Sequence, residues 1–154
     1  MTKVTSILLV NEKSTLELGY KLSKNLSKGL LIFLKGELGA GKTTLVRGLL
    51  IALGYKGRVK SPSYSLLEQY NFEAVTFNHF DLYRFHSPQE WISAGFNEYI
   101  NNDDITLIEW PEKAFGVLCE PDISLEILYE GESSRRINIV ALTKKGTQCC
   151  LELI

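Results

Sequence analysis

Apolar residues in this chain follow two rhythms. Leu30-Leu31-Ile32-Phe33-Leu34 is an unbroken apolar run, the pattern of a strand buried on both faces. Leu45, Val46, Leu49, Leu50 and Leu53 then recur at three- and four-residue spacing, which predicts an amphipathic helix ending near Gly54. Upstream, Ser6 to Val10 reads as a short strand. Ser14-Thr15-Leu16-Glu17 has the form of a capping box with Ser14 as N-cap, followed by Leu18, Leu22 and Leu26 on one helical face and a stop at Gly29. Downstream, Gly57 to Pro62 is a loop. Tyr64 to Phe72 and Val75 to Tyr83 are two strands whose short connection at 71–74 predicts a hairpin, so at least one strand pair is antiparallel. Ser87-Pro88-Gln89-Glu90 is a second capping box, with proline at the first helical position, opening a helix to about Ile100. After the break at Asn101-Asn102-Asp103, Ile105-Thr106-Leu107-Ile108 is another buried strand and ends in Glu109-Trp110-Pro111. Ile123, Leu125, Ile127 and Tyr129 alternate before a turn at Glu130 to Ser134; Ile137, Ile139 and Ala141 alternate after it, and Cys149 to Leu153 would close a small β-meander. The sum is one α/β domain over residues 1–154, three-layered, with a mixed parallel/antiparallel sheet and a β-rich C-terminal part.

Between the first buried strand and its helix lies Gly36-Glu37-Leu38-Gly39-Ala40-Gly41-Lys42-Thr43, which fits G-x-x-x-x-G-K-[ST]. Glycines let the backbone curl until successive N–H groups face one anion, and the helix N-terminus adds unpaired N–H groups and partial positive charge. The candidate nucleotide contacts are therefore Glu37, Leu38, Gly39, Ala40, Gly41, Lys42, Thr43 and Thr44. Lys42 reaches the β- and γ-phosphates, and the Thr43 hydroxyl is placed to ligate Mg²⁺. The competing reading, an ordinary glycine-rich strand-to-helix turn, requires no lysine followed by threonine.

Such a site needs a carboxylate at the end of a neighbouring strand. Glu109 and Asp81 both end predicted strands, whereas Asp103, Asp104 and Asp122 fall in turns. One of the pair would serve the metal and the other would orient or deprotonate the attacking water; spacing does not assign the roles.

Composition narrows the setting. A net charge of −1 argues against an extended basic surface for RNA or DNA. No stretch approaches the roughly 20 apolar residues of a membrane span, and the segment from Met1 to Val10 is too short and too soon interrupted to serve as a secretory signal, so a cytoplasmic setting is expected. Cys119, Cys149 and Cys150 have no metal-ligand or C-x-x-C spacing and read as reduced thiols.

Four segments in this order, the glycine loop through Thr44, Ser61-Pro62-Ser63-Tyr64, His79-Phe80-Asp81-Leu82-Tyr83-Arg84 and Ile108-Glu109-Trp110-Pro111, resemble the bacterial TsaE (YjeE) family, an ATPase of tRNA threonylcarbamoyladenosine (t6A) biosynthesis. The resemblance is strongest from about Leu30 to Lys113. It implies a P-loop NTPase variant using ATP and Mg²⁺, with Thr43 and Glu109 on the metal, Lys42 and Asp81 catalytic, and Ser61 to Tyr64 a switch-like loop. Trp110 lies close to the site by resemblance, and a core indole beside Pro111 by composition. Asn11 and Arg136 correspond to base or ribose contacts, although the surrounding segments match poorly. Ser63 stands where the family usually has threonine, which keeps a hydroxyl. The implied partners are TsaB and TsaD, with tRNA engaged only indirectly, and turnover is expected to be slow without them.

Two other functions fit a P-loop. A small-molecule kinase needs a closing lid, and the five arginines, Arg47, Arg58, Arg84, Arg135 and Arg136, form no lid segment. A nucleotide-gated adaptor with negligible turnover would use the loop at Ser61 to Tyr64 to expose a docking face.

Overall fold

The computed structural model describes residues 3–153; Met1 and Thr2, at the start of the segment read for a leader, and Ile154 lie outside them. One seven-stranded sheet organises the chain, in the order β1-β7-β6-β2-β5-β4-β3. Its strands are β1 (Lys3–Leu9), β2 (Leu31–Gly36), β3 (Leu67–Asn71), β4 (Thr76–Asp81), β5 (Ile105–Glu109), β6 (Ile123–Glu130) and β7 (Ser134–Ala141). The four central strands β6, β2, β5 and β4 run parallel; β1, β7 and β3 join antiparallel. The helices are α1 (Glu12–Ser23), α2 (Lys42–Ala52), α3 (Gln89–Ser93) and α4 (Lys144–Cys149).

Alternation along the central strands gives the sheet two apolar faces. Ile32, Leu34, Phe77, Ile105 and Leu107 pack with Leu18, Leu22, Leu45 and Leu49 of α1 and α2. Leu31, Phe80 and Ile108 pack instead with Trp91 of α3 and with Ala114. Continuing the same alternation, Asp81 follows Phe77 and His79 on β4, and Glu109 follows Ile105 and Leu107 on β5. Both carboxylates thus emerge on the α2 face, at the strand ends beside the glycine loop. The chain leaves β2 toward that face and leaves β5 toward the other, so a crevice opens between these neighbours.

α1 and α2 approach at glycine. A Cβ on Gly48 would lie 2.2 Å from the carbonyl oxygen of Leu16, and one on Gly19 would lie 2.4 Å from that of Leu45. Alanine favours an exposed helix by about 1 kcal/mol over glycine, so the sign is diagnostic here. Gly48→Ala is expected to lower the melting temperature by roughly 4–12 °C, from about 2–3 kcal/mol of overpacking spread over a domain of this size. A thermal melt followed by circular dichroism checks it.

Several elements depart from the sequence pattern. The N-cap of α1 is Asn11, not Ser14: the Asn11 side chain accepts from the Ser14 backbone N–H at 2.9 Å and from the Ser14 hydroxyl at 3.0 Å, so the helix starts a turn earlier. It ends at Ser23, and Leu26 packs from the following loop. The predicted hairpin is present, but its first strand starts at Leu67 because Leu66 has φ 71°. The helix after Pro88 stops at Ser93 and a 3₁₀ turn, Phe96–Tyr99, follows. Gly95, with φ 73°, makes that break, and Asn97 accepts from the Trp91 indole N–H at 2.7 Å. The second box forms in part: the Ser87 backbone N–H donates to Glu90 at 2.9 Å, and the backbone N–H groups of Ser87 and His86 hold the Glu90 carboxyl below its ordinary range.

Cys149 belongs to α4 and closes no meander; the strand beside the β6–β7 pair is β1. Burial pushes the Cys149 thiol up to about 12, so it is chemically inert. Asp122 lies in the bend before β6, as its turn reading expects. It is buried, accepting from the Leu31 backbone N–H at 2.8 Å and from the Thr143 hydroxyl at 2.6 Å, and so ties together the starts of β2, β6 and α4. Among the described residues no helix is long and apolar enough to cross a membrane.

Candidate nucleotide-phosphate site

β2 delivers the chain into the glycine loop, where Gly39 (φ 77°) and Gly41 (φ 111°) take left-handed backbone that side chains resist. α1 is capped by Asn11 and α4 by Thr143, whereas α2 starts at Gly41 with no side-chain cap. Its first N–H groups are left for an anion.

Lys42 is only 6% exposed. Its ammonium donates to the carbonyls of Gly36 and, at 3.1 Å, of Glu37, and lies 4.4 Å from the centre of the Trp110 ring. Burial draws its pKa below the ordinary lysine value, opposed by the charges of Glu109, Asp81 and Glu112. The amine thus stands inside the loop with three carboxylates close enough to offset part of the cost of its burial.

Asp81 and Glu109 occupy opposed positions on β4 and β5, and Leu34 of β2 is opposite Glu109. Both carboxylates are buried. The Ser61 hydroxyl sits between them, donating to Asp81 and lying 3.1 Å from Oε2 of Glu109. Asp81 also accepts from the Tyr83 backbone N–H at 2.9 Å. The His79 ring reaches Glu109 from behind, Nε2 to Oε2 at 2.6 Å. A cavity of about 400 Å³ gathers Leu38 to Thr44, Ser61, Ser63, Asp81, Tyr83, Arg84, Glu109 and Trp110.

Trp110 has φ 57° and ψ 46°. A left-handed conformation at so large a residue costs on the order of 1–3 kcal/mol. It turns the chain at the end of β5 so that the indole comes back over Lys42, with the Tyr83 ring 5.0 Å away. The indole therefore lines the cavity and also packs on the second apolar layer.

A smaller depression lies on another side of the loop, lined in part by Asn11, Gly39 to Gly41, Thr44 and Arg135. Asn11 is there, with its side-chain oxygen committed to the α1 cap. Arg136 is not: it turns away to Glu130 at 2.8 Å and Ser6 at 3.2 Å. Its neighbour Arg135 reaches the loop instead, donating to the Ala40 carbonyl at 3.2 Å with its guanidinium 4.3 Å from the Tyr129 ring. The Tyr129 hydroxyl donates to the Leu38 carbonyl at 2.6 Å. Strand alternation explains the exchange, because Arg135, Ile137 and Ile139 share one face and Arg136 has the other. The same rule places Tyr129 with Leu125 and Ile127, and His79 with Asp81. Sequence reasoning gave none of Tyr129, Arg135 and His79 a role, although their parity was visible.

A parallel-centred sheet whose second strand enters a glycine loop and an uncapped helix, with acids closing two neighbouring strands, is the architecture of a P-loop fold. Within it, the chain belongs to the TsaE family: the family model described as threonylcarbamoyl adenosine biosynthesis protein TsaE matches residues 9–137. The chain is 44% identical over 141 residues to the tRNA threonylcarbamoyladenosine biosynthesis protein TsaE of Haemophilus influenzae, covering 88% of this chain and 89% of that one. It is 36% identical to the TsaE of a Nostoc species, covering 89% and 86%. The crystal structure of Bacillus subtilis YdiB is similar to the whole fold, with a TM-score of 0.84 at 26% identity, covering 99% of this chain and 95% of that one.

Proposed function

We propose that this protein is a Mg²⁺-dependent ATPase that supports t6A formation on tRNA in the cytoplasm, acting with TsaB and TsaD and touching tRNA only indirectly. The observation that carries the ATPase reading is the meeting of Lys42, Thr43, Asp81 and Glu109 around one cavity beside an uncapped helix N-terminus. The tRNA role rests on the family and on the printed names of the relatives.

The donor set suits magnesium. In nucleotide sites that ion takes one or two carboxylates, a hydroxyl and phosphate oxygens rather than a full protein cage. Among the described residues no group of three or more His, Cys, Asp and Glu forms such a cage. Thr43 and Glu109 would hold the ion, which when bound neutralises charge on the β- and γ-phosphates. The loop N–H groups and Lys42 stabilise charge on the transferring phosphoryl group. Asp81, anchored by the Tyr83 N–H, orients the attacking water or takes its proton. The Ser61 hydroxyl bridges the two carboxylates, so metal and water entering between them would require it to shift its contacts. That requirement couples the loop at Ser61 to Tyr64 to nucleotide occupancy, and it is the one observation favouring the adaptor reading beside the ATPase reading.

Depletion of the protein in its host, followed by mass analysis of tRNA nucleosides, is expected to show loss of t6A. Normal t6A would overturn the tRNA role and leave the ATPase reading standing.

A further inference from the structure

His79 is fully buried on β4, two residues before Asp81, with no task in the chemistry above. Its Nε2 lies 2.6 Å from Oε2 of Glu109, and its Nδ1 has no hydrogen-bond partner among the described residues. The arrangement that leaves no buried donor unpaired puts the ring proton on Nε2, donating to the carboxylate. Among the described residues, the hydrogen-bond contacts of the Glu109 carboxylate all fall on Oε2: His79 from behind and Ser61 from the front.

These two contacts differ in kind. Ser61 is on the connection between α2 and β3, outside any helix or strand. His79 is on a central strand, within the core, with no room to swing. Of the two, only His79 is held by the sheet itself, so it fixes the carboxylate whatever the loop does.

We propose that His79 is a positioning residue that fixes Oε2 of Glu109 and so presents the other carboxylate oxygen to the magnesium ion. The proposal rests on the reading of Glu109 as the metal ligand. A hydrogen-bond partner that orients a metal ligand is worth about 10–100-fold in metal affinity.

Three variants test it. His79→Leu removes the donor at similar bulk. His79→Gln returns an N–H near the position of Nε2. His79→Asn keeps an amide that is too short to reach Glu109. Calorimetry with ADP, in EDTA and across a magnesium series, reads nucleotide and metal binding apart from turnover, and steady-state hydrolysis gives kcat and KM. In His79→Leu and His79→Asn, the magnesium concentration for half-maximal effect is expected to rise about 10–100-fold. ADP affinity in EDTA should stay within about twofold of wild type, and His79→Gln should recover most of the loss. If His79→Leu does not fold, the contrast between Gln and Asn decides. Equal magnesium dependence in those two, or an unshifted His79→Leu, overturns the positioning role. A wild-type protein that binds ADP without any response to magnesium overturns the reading of Glu109 itself, a separate failure.

Discussion

Lys42→Ala is expected to abolish measurable ATP hydrolysis, a loss of at least about 10²–10³-fold in kcat/KM, the scale for deleting a preorganised donor to developing transition-state charge. The effect should be large because nothing nearby can substitute. Lys42 is 6% exposed, with its ammonium within the loop and beneath the Trp110 ring. Of the other basic groups, Arg135 is on another side of the loop, and the Arg84 guanidinium stacks 3.9 Å from the ring of Tyr64. The fold should survive. Lys42 contacts the carbonyls of Gly36 and Glu37, which water can satisfy once the side chain is shortened. A phosphate-release assay, paired with a melt to establish folding, checks the expectation. Near-normal turnover in a folded variant would remove Lys42 from the mechanism.

Asp81→Asn should separate binding from chemistry. The amide has the shape of the carboxylate, and its oxygen can still accept from the Tyr83 N–H that holds the side chain at the end of β4. The Ser61 hydroxyl can reverse its role and accept from the new amide. What disappears is the negative charge and the capacity to take a proton. Nucleotide affinity is expected within about threefold of wild type while kcat falls about 10²–10⁴-fold, the range for a general base. Equilibrium nucleotide binding measured beside single-turnover hydrolysis distinguishes the two. If turnover is unchanged, Asp81 is a structural acid and Glu109 is left as the sole candidate.

The elements around the loop were legible because their signals are local. A continuous apolar run at Leu30–Leu34, left-handed glycines and a 3.6-residue rhythm in α2 each restrict only a few neighbouring residues. Asp81 and Glu109 were legible for a related reason: each closes an apolar strand with a charge. Their pairing across β4 and β5 was not, since sheet order depends on crossovers that no local pattern encodes. Overlapping cap signals misled at α1, where Asn11-x-x-Ser14 and Ser14-x-x-Glu17 compete and the earlier cap wins. The tail around Cys149 misled because a short apolar run fits a helix end as well as a strand. The resemblance points to Arg136, and only the assembled sheet shows that Arg135 is on the face of β7 toward the loop. His79 went unassigned since a buried histidine is informative only once its carboxylate neighbour is known.

The central claim is that the loop and its two acids bind a magnesium-complexed triphosphate. Calorimetric titration with a non-hydrolysable ATP analogue, with and without Mg²⁺, and with TsaB and TsaD present in a parallel run, tests it most directly. Saturable binding to one site, strengthened by Mg²⁺ and weakened by Glu109→Gln, is the expected result. A flat trace both for the protein alone and with TsaB and TsaD added would contradict it.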